Sequence, residues 1–175
     1  KLKHQITKGN WNVLQLLYID RENRLLYFTG SCRESGDPYF HYLYRIKMNG
    51  EDLTCLTPEN ANHSITFSPF YNYFLDTYST PTIPPISVLR DTEGHKLLVC
   101  EEADISALVE NGWQPPVPIK VKARDSKTDI YGLIYKPTQF DDSKKYPILN
   151  YIYPGPQTGS VGSRSFRASR SDKQA

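Results

Sequence analysis

Apolar and polar residues alternate in short runs through the first hundred residues, and each run ends in a cluster rich in Gly, Asn, Asp or Pro. A period of two puts every second side chain on one face of a pleated strand, so the pattern predicts strands joined by turns. The expected strands fall in two successive groups of four. The first is 13–20, 25–31, 41–47 and 52–56; the second is 63–67, 73–78, 86–90 and 96–100. Asp20-Arg21-Glu22-Asn23, Met48-Asn49-Gly50 and Asp91-Thr92-Glu93-Gly94 supply turn chemistry between them. A helix is expected only over 104–111, with Asp104 as its cap, Ile105, Leu108 and Val109 on one face, and Gly112 closing it in a left-handed turn.

Trp113-Gln114-Pro115-Pro116-Val117-Pro118 follows, and a residue before proline is pushed toward extended backbone, so this stretch reads as a linker and domain boundary. Past it, 119–124 and 130–136 flank the turn Asp125-Ser126-Lys127-Thr128 as a hairpin. A polar loop then leads into an expected strand over 146–153. Corresponding strands of the two groups lie roughly 45 residues apart, a period that suits one four-stranded propeller blade. A β-sandwich also has short strands with frequent turns, so the pattern alone leaves propeller and other all-β folds open.

Composition agrees with the pattern: thirteen Tyr, thirteen Pro and ten Gly describe strands and turns, and 38% hydrophobic residues suffice for a packed core. The net charge of +2 is too small to call for a nucleic-acid or membrane partner. Its excess sits after position 163, where Arg164, Arg167, Arg170 and Lys173 face only Asp172; this tail reads as a solvated Arg/Ser segment. No apolar run approaches the length of a membrane helix, and nothing reads as a signal peptide. Cys32, Cys55 and Cys100 fit neither a zinc pattern nor a paired disulfide framework and are expected to be buried thiols. The glycines between Gly155 and Gly162 fit neither nucleotide-binding spacing, so no cofactor and no metal site is expected. The adjacent acids Glu101-Glu102 and Asp141-Asp142 read as surface charge.

Several motifs, in order, resemble the dipeptidyl peptidase IV branch of the prolyl oligopeptidase superfamily. Ile6-Thr7-Lys8-Gly9-Asn10-Trp11-Asn12-Val13 looks like the opening of a late propeller blade, Leu26-Tyr27-Phe28-Thr29-Gly30 like its second strand, and His41-Tyr42-Leu43-Tyr44-Arg45-Ile46 like its third. Ser68-Pro69-Phe70-Tyr71-Asn72-Tyr73 is similar to the blade turn S-P-D-G-K-Y, with Phe70 and Tyr71 in place of Asp-Gly. Tyr131-Gly132-Leu133-Ile134-Tyr135-Lys136-Pro137 resembles the hairpin that begins the α/β-hydrolase domain, and Lys144-Lys145-Tyr146-Pro147-Ile148 its lead into the next strand. Tyr151-Ile152-Tyr153-Pro154-Gly155-Pro156 resembles the Tyr-x-Gly-Pro junction of that family, with Pro154 where Ala or Gly is common.

The resemblance implies a mainly β chain: two four-stranded propeller blades (1–102), a short helix and Pro-rich linker (103–118), and the first strands of an α/β-hydrolase sheet (119–175). It implies that Tyr153 is a catalytic residue, an oxyanion-hole donor whose phenol stays protonated at neutral pH. On residue type alone, a tyrosine at a strand end is ordinarily a packed ring with a satisfied hydroxyl. No G-x-S-x-G elbow occurs, and His4, His41, His63 and His95 all precede the hydrolase-like strands, whereas the family's catalytic histidine comes last. The expectation is therefore a piece of a serine exopeptidase that cleaves dipeptides from peptide N-termini, often after Pro, and is inactive alone. The competing reading is a non-catalytic propeller interaction module. Peptides are the expected partners, with self-association through unpaired strand edges.

Overall fold

The computed structural model describes residues 3–152 and 164–168. These residues are mainly β, in antiparallel sheets, with one short helix among them. The first sheet is a meander of β1 (Asn12–Asp20), β2 (Leu25–Ser31), β3 (Tyr42–Lys47) and β4 (Thr54–Cys55). The second repeats the arrangement with β5 (Asn62–Phe67), β6 (Tyr73–Ser79), β7 (Ile86–Asp91) and β8 (Lys96–Glu102). After α1 (Ser106–Glu110), β9 (Val117–Lys122) and β10 (Asp129–Ile134) pair as a separate hairpin.

The first sheet is apolar on both faces because β2 and β3 alternate large side chains to either side. Phe28, Tyr42, Tyr44 and Ile46 bury one face together with Phe40, and Trp11 covers them, its ring 5.2 Å from that of Tyr44. Tyr27 and Leu43 point the other way and meet Leu56 and Phe74, with Ile65 and Phe67 of β5 packed alongside. The two sheets thus share one core. Polar links reinforce it: the His63 amide donates to the His41 carbonyl at 2.9 Å, and the Leu43 amide to Thr57 Oγ1 at 2.9 Å.

β4 is shorter than the pattern predicts because Asp52 takes φ of +54°, which no strand accommodates; its carboxylate instead pairs with Lys47 across the turn. The helix is also shorter than expected. Ile105 is its N-cap, and Asp104 lies one position earlier, where its Oδ1 accepts the Ser106 amide at 2.8 Å. The C-terminus forms as predicted: Gly112 has φ of +86°, and the amides of Gly112 and Trp113 return to the carbonyls of Val109 and Leu108. β9 begins at Val117, inside the stretch read as linker, and Pro118 sits within it, tolerated because a two-stranded hairpin has only edge strands.

Three expectations are corrected. Residues 146–152 form no strand, and Ile148 and Leu149 are 91% and 92% exposed. A strand needs a partner ladder, and among the described residues the β9–β10 sheet has two strands. The thiols are not buried: Cys32, at φ of +66° just past β2, and Cys100, on a β8 exposed along its whole length, face solvent. Only Cys55 is half-buried, and burial pushes its thiol up to about 11. The tail is not simply solvated, since Arg164 is 1% exposed.

The turn after β5 carries a testable strain. Tyr71 has φ of +57°, at the position where the similar blade turn S-P-D-G-K-Y has Gly, and its ring stacks on Tyr18 at 3.8 Å and 7°. A left-handed non-Gly residue costs about 1–2 kcal/mol, and an aromatic pair returns about 0.5–1.5 kcal/mol. Tyr71→Gly should therefore be close to neutral in urea unfolding. Tyr71→Ala keeps the strain without the stack and should destabilise by about 1 kcal/mol; equal midpoints for the two variants would refute this balance.

Candidate functional site

Tyr153, the catalytic residue expected from the sequence, lies outside the described residues. Its described neighbours Tyr151 and Ile152 are 62% and 66% exposed. On the far side of the intervening stretch, Arg164, Ser165 and Phe166 rest against the two sheets. Arg164 Nε lies 3.1 Å from Asp37 Oδ2, and its guanidinium carbon is 5.0 Å from the Tyr39 ring centre. Asn62 Nδ2 donates to Ser165 Oγ at 2.8 Å, and the Phe166 amide donates to Ser79 Oγ at 3.0 Å. The Phe166 ring meets Trp113 of the linker at 5.2 Å. Tyr39 also meets Tyr131 of β10 edge-on at 6.2 Å, so the loop before β3 contacts both the hairpin and Arg164.

A second cluster was not foreseen. Asp76 on β6 is fully buried and accepts from two cross-strand neighbours: His63 Nδ1 reaches its Oδ1 at 2.8 Å, and Arg90 Nε its Oδ2 at 3.0 Å. Arg90 continues to Glu59 Oε2 at 2.6 Å and to the Gly94 carbonyl at 3.1 Å, while His63 Nε2 lies 2.9 Å from the Glu59 carbonyl. Burial works to raise the Glu59 carboxyl, but the Arg90 hydrogen bond, a backbone hydrogen bond and the charges of Arg90 and His63 together outweigh it and hold the group below its usual range. Burial likewise opposes the Arg90 charge, and Glu59 and Asp76 more than compensate.

One ligand atom each from Glu59, His63 and Asp76 lies within 4.8 Å of the others, a spacing that suits a metal ion. The Arg90 guanidinium already bonds both carboxylates, so the cation of this cluster is an arginine and the residues do not fit a metal as they stand. Nor can His63 act as a base toward a substrate, because its side chain is wholly buried and both ring nitrogens are engaged. The signal for this cluster was present in the sequence. Asp76 shares a strand face with Phe74, and Arg90 with Val88, which places opposite charges on the buried face of adjacent strands. Two surface hollows, one bounded by Thr7, Lys8 and Gly50 and one by Leu17, Phe67 and Pro69, are lined by no carboxylate, histidine or cysteine.

Two consecutive four-stranded meanders, followed by a hairpin, have counterparts among known proteins. Residues 1–85 match the family described as the dipeptidyl peptidase IV (DPP IV) N-terminal region. The crystal structure of Porphyromonas gingivalis dipeptidyl peptidase 4 superposes with a TM-score of 0.73 at 26% sequence identity, over 94% of this chain and 23% of that one. The chain is similar to dipeptidyl peptidases. Human dipeptidyl peptidase 8 is 29% identical over 170 residues, covering 91% of this chain and 19% of the relative. The probable dipeptidyl-aminopeptidase B of Emericella nidulans is 31% identical over 166 residues, covering 91% and 18%. The chain therefore spans about a fifth of the length of these dipeptidyl peptidase relatives. No helix among the described residues is long and apolar enough to cross a membrane.

Proposed function

We propose that this chain is part of a serine-type dipeptidyl peptidase that removes dipeptides from peptide N-termini, often after proline. In this reading, residues 1–102 are two consecutive blades of a β-propeller, 103–118 a connector, and 119–175 the opening of the peptidase domain. Tyr153 donates a hydrogen bond to the oxyanion of the tetrahedral intermediate. The similarity to dipeptidyl peptidase 4, which runs through both meanders and the hairpin in order, is the observation that carries the reading. The Tyr-Pro-Gly-Pro sequence at 153–156 supports the role of Tyr153.

The nucleophile, its base and its orienting acid come from elsewhere in the protein, since the 175 residues contain no G-x-S-x-G elbow. The full-length protein carrying this chain should hydrolyse an X-Pro anilide and react with a fluorophosphonate probe. The 175-residue chain by itself should do neither. Stoichiometric labelling of the isolated chain would overturn the assignment of the nucleophile elsewhere, and an inert full-length protein would favour a propeller that only binds.

A further inference from the structure

The connection between β2 and β3 is built rigidly around one carboxylate. Asp37 Oδ1 accepts the Tyr39 amide at 2.9 Å, the Asp37 carbonyl accepts the Phe40 amide at 3.1 Å, and the Cys32 amide crosses to the Pro38 carbonyl at 3.1 Å. Pro38 fixes its own backbone torsion, and Phe40 is anchored in the core of the first sheet. Tyr39 therefore stands on a fixed base, yet its side chain is half-exposed. Its ring is flanked by two segments from much later in the sequence: Tyr131 of β10 meets it edge-on at 6.2 Å, and the Arg164 guanidinium lies over it at 5.0 Å. Each neighbour is held in turn. Lys120, directly opposite Tyr131 in the hairpin, places its ammonium 5.4 Å from the Tyr131 ring centre, and Arg164 Nε faces Asp37 Oδ2 at 3.1 Å.

The geometry points to a latch: Tyr39 clasps β10 and the segment 164–168 at once, so that docking of either favours docking of the other. The physical reason is entropic. A half-exposed tyrosine gives up rotamer freedom when it is pinned, and whichever contact forms first meets that cost. The second forms on a ring already in place, which couples the two contacts with no change of backbone shape. Arg164 strengthens the dependence. It is buried, its Nε and Nη2 have no hydrogen-bond partner, and a buried cation needs compensation, which the Asp37 carboxylate and the Tyr39 ring face supply. Further contacts, from Asn62 to Ser165, from the Phe166 amide to Ser79 and from the Phe166 ring to Trp113, tie the same segment to β5, β6 and the linker. On the reading of 119–175 as the opening of the peptidase domain, the latch is a joint between that domain and the blades; the clasp itself does not depend on that reading.

Hydrogen–deuterium exchange of the full-length protein, followed peptide by peptide, tests the clasp. Tyr39→Ala should speed exchange about 10-fold over both 129–134 and 164–168 while β3 stays protected, since one aromatic and one cation–ring contact are lost together. Tyr39→Phe keeps the ring and should leave both segments unchanged. Tyr131→Leu should speed exchange over 164–168 as well, by about 3-fold, and should add nothing there in the Tyr39→Ala background. If Tyr39→Ala loosens β3 too, Asp37→Asn and Tyr131→Leu decide, because each acts on one arm and should still loosen the opposite segment. A response to Tyr39→Ala confined to one of the two segments, or unchanged exchange over 164–168 in Tyr131→Leu, would overturn the latch. A full-length protein inert to the fluorophosphonate probe would remove the peptidase domain from this joint, while the exchange result still decides whether the clasp exists.

Discussion

Asp76→Ala should cost about 3–5 kcal/mol of folding stability, the scale for removing one member of a buried ion network. The carboxylate is fully buried, and its loss leaves Arg90 Nε and His63 Nδ1 without their acceptor in a place water does not reach. A domain with about 5–15 kcal/mol in total would lose a large share of it. In urea unfolding the midpoint should fall while the slope stays constant. Arg90→Met should be similarly damaging, since it leaves Asp76 and Glu59 close together with no cation between them. The double variant should cost clearly less than the two single effects added, because the second substitution removes a charge that the first has stranded. Simple additivity would show that the two groups are not coupled. Breaking the exposed Lys47–Asp52 pair should leave the midpoint almost unchanged.

Tyr153→Phe in the full-length protein should lower turnover by about 100-fold or more, with a comparatively small change in KM. The substitution keeps the ring and removes one hydrogen-bond donor, so the loss falls on the state in which the oxyanion has developed rather than on ground-state binding. Tyr151→Phe is the internal control. Its side chain is largely exposed, and losing that hydroxyl should be nearly silent. If both variants keep full turnover, the Tyr153 hydroxyl has no part in the chemistry.

The strands were legible because their physics is local. Alternation and turn residues located all eight strands of the two meanders, and the late start of β4 traces to the backbone conformation of Asp52. The exposed run 146–152 misled for the complementary reason: its β-forming residues describe what the segment can do in a sheet, and the sheet must be supplied by other residues. The buried acid and cation of the second sheet, Asp76 and Arg90, are readable from strand parity, since each shares a strand face with a buried apolar neighbour. His63 was set aside as a catalytic base, and its engagement inside that network gives an independent physical reason for doing so. Arg164 was beyond local reading altogether, since the neighbouring Ser165 meets a partner 103 positions away and nothing in the tail announces it.

The order of strands has a consequence for assembly during synthesis. Among the described residues, every strand of both meanders pairs with its neighbours in sequence, so neither sheet waits for a distant segment. Low contact order of this kind favours fast, independent formation, and a chain emerging from the ribosome folds its N-terminal units first. The first meander can thus be complete while the second is still being translated, with the Tyr27 and Leu43 face open until Phe74 arrives to close it. The Asn62–Ser165 and Ser79–Phe166 contacts span 103 and 87 positions and register on a surface that already exists. Translation itself therefore separates the building of the platform from the seating of the segment that it holds.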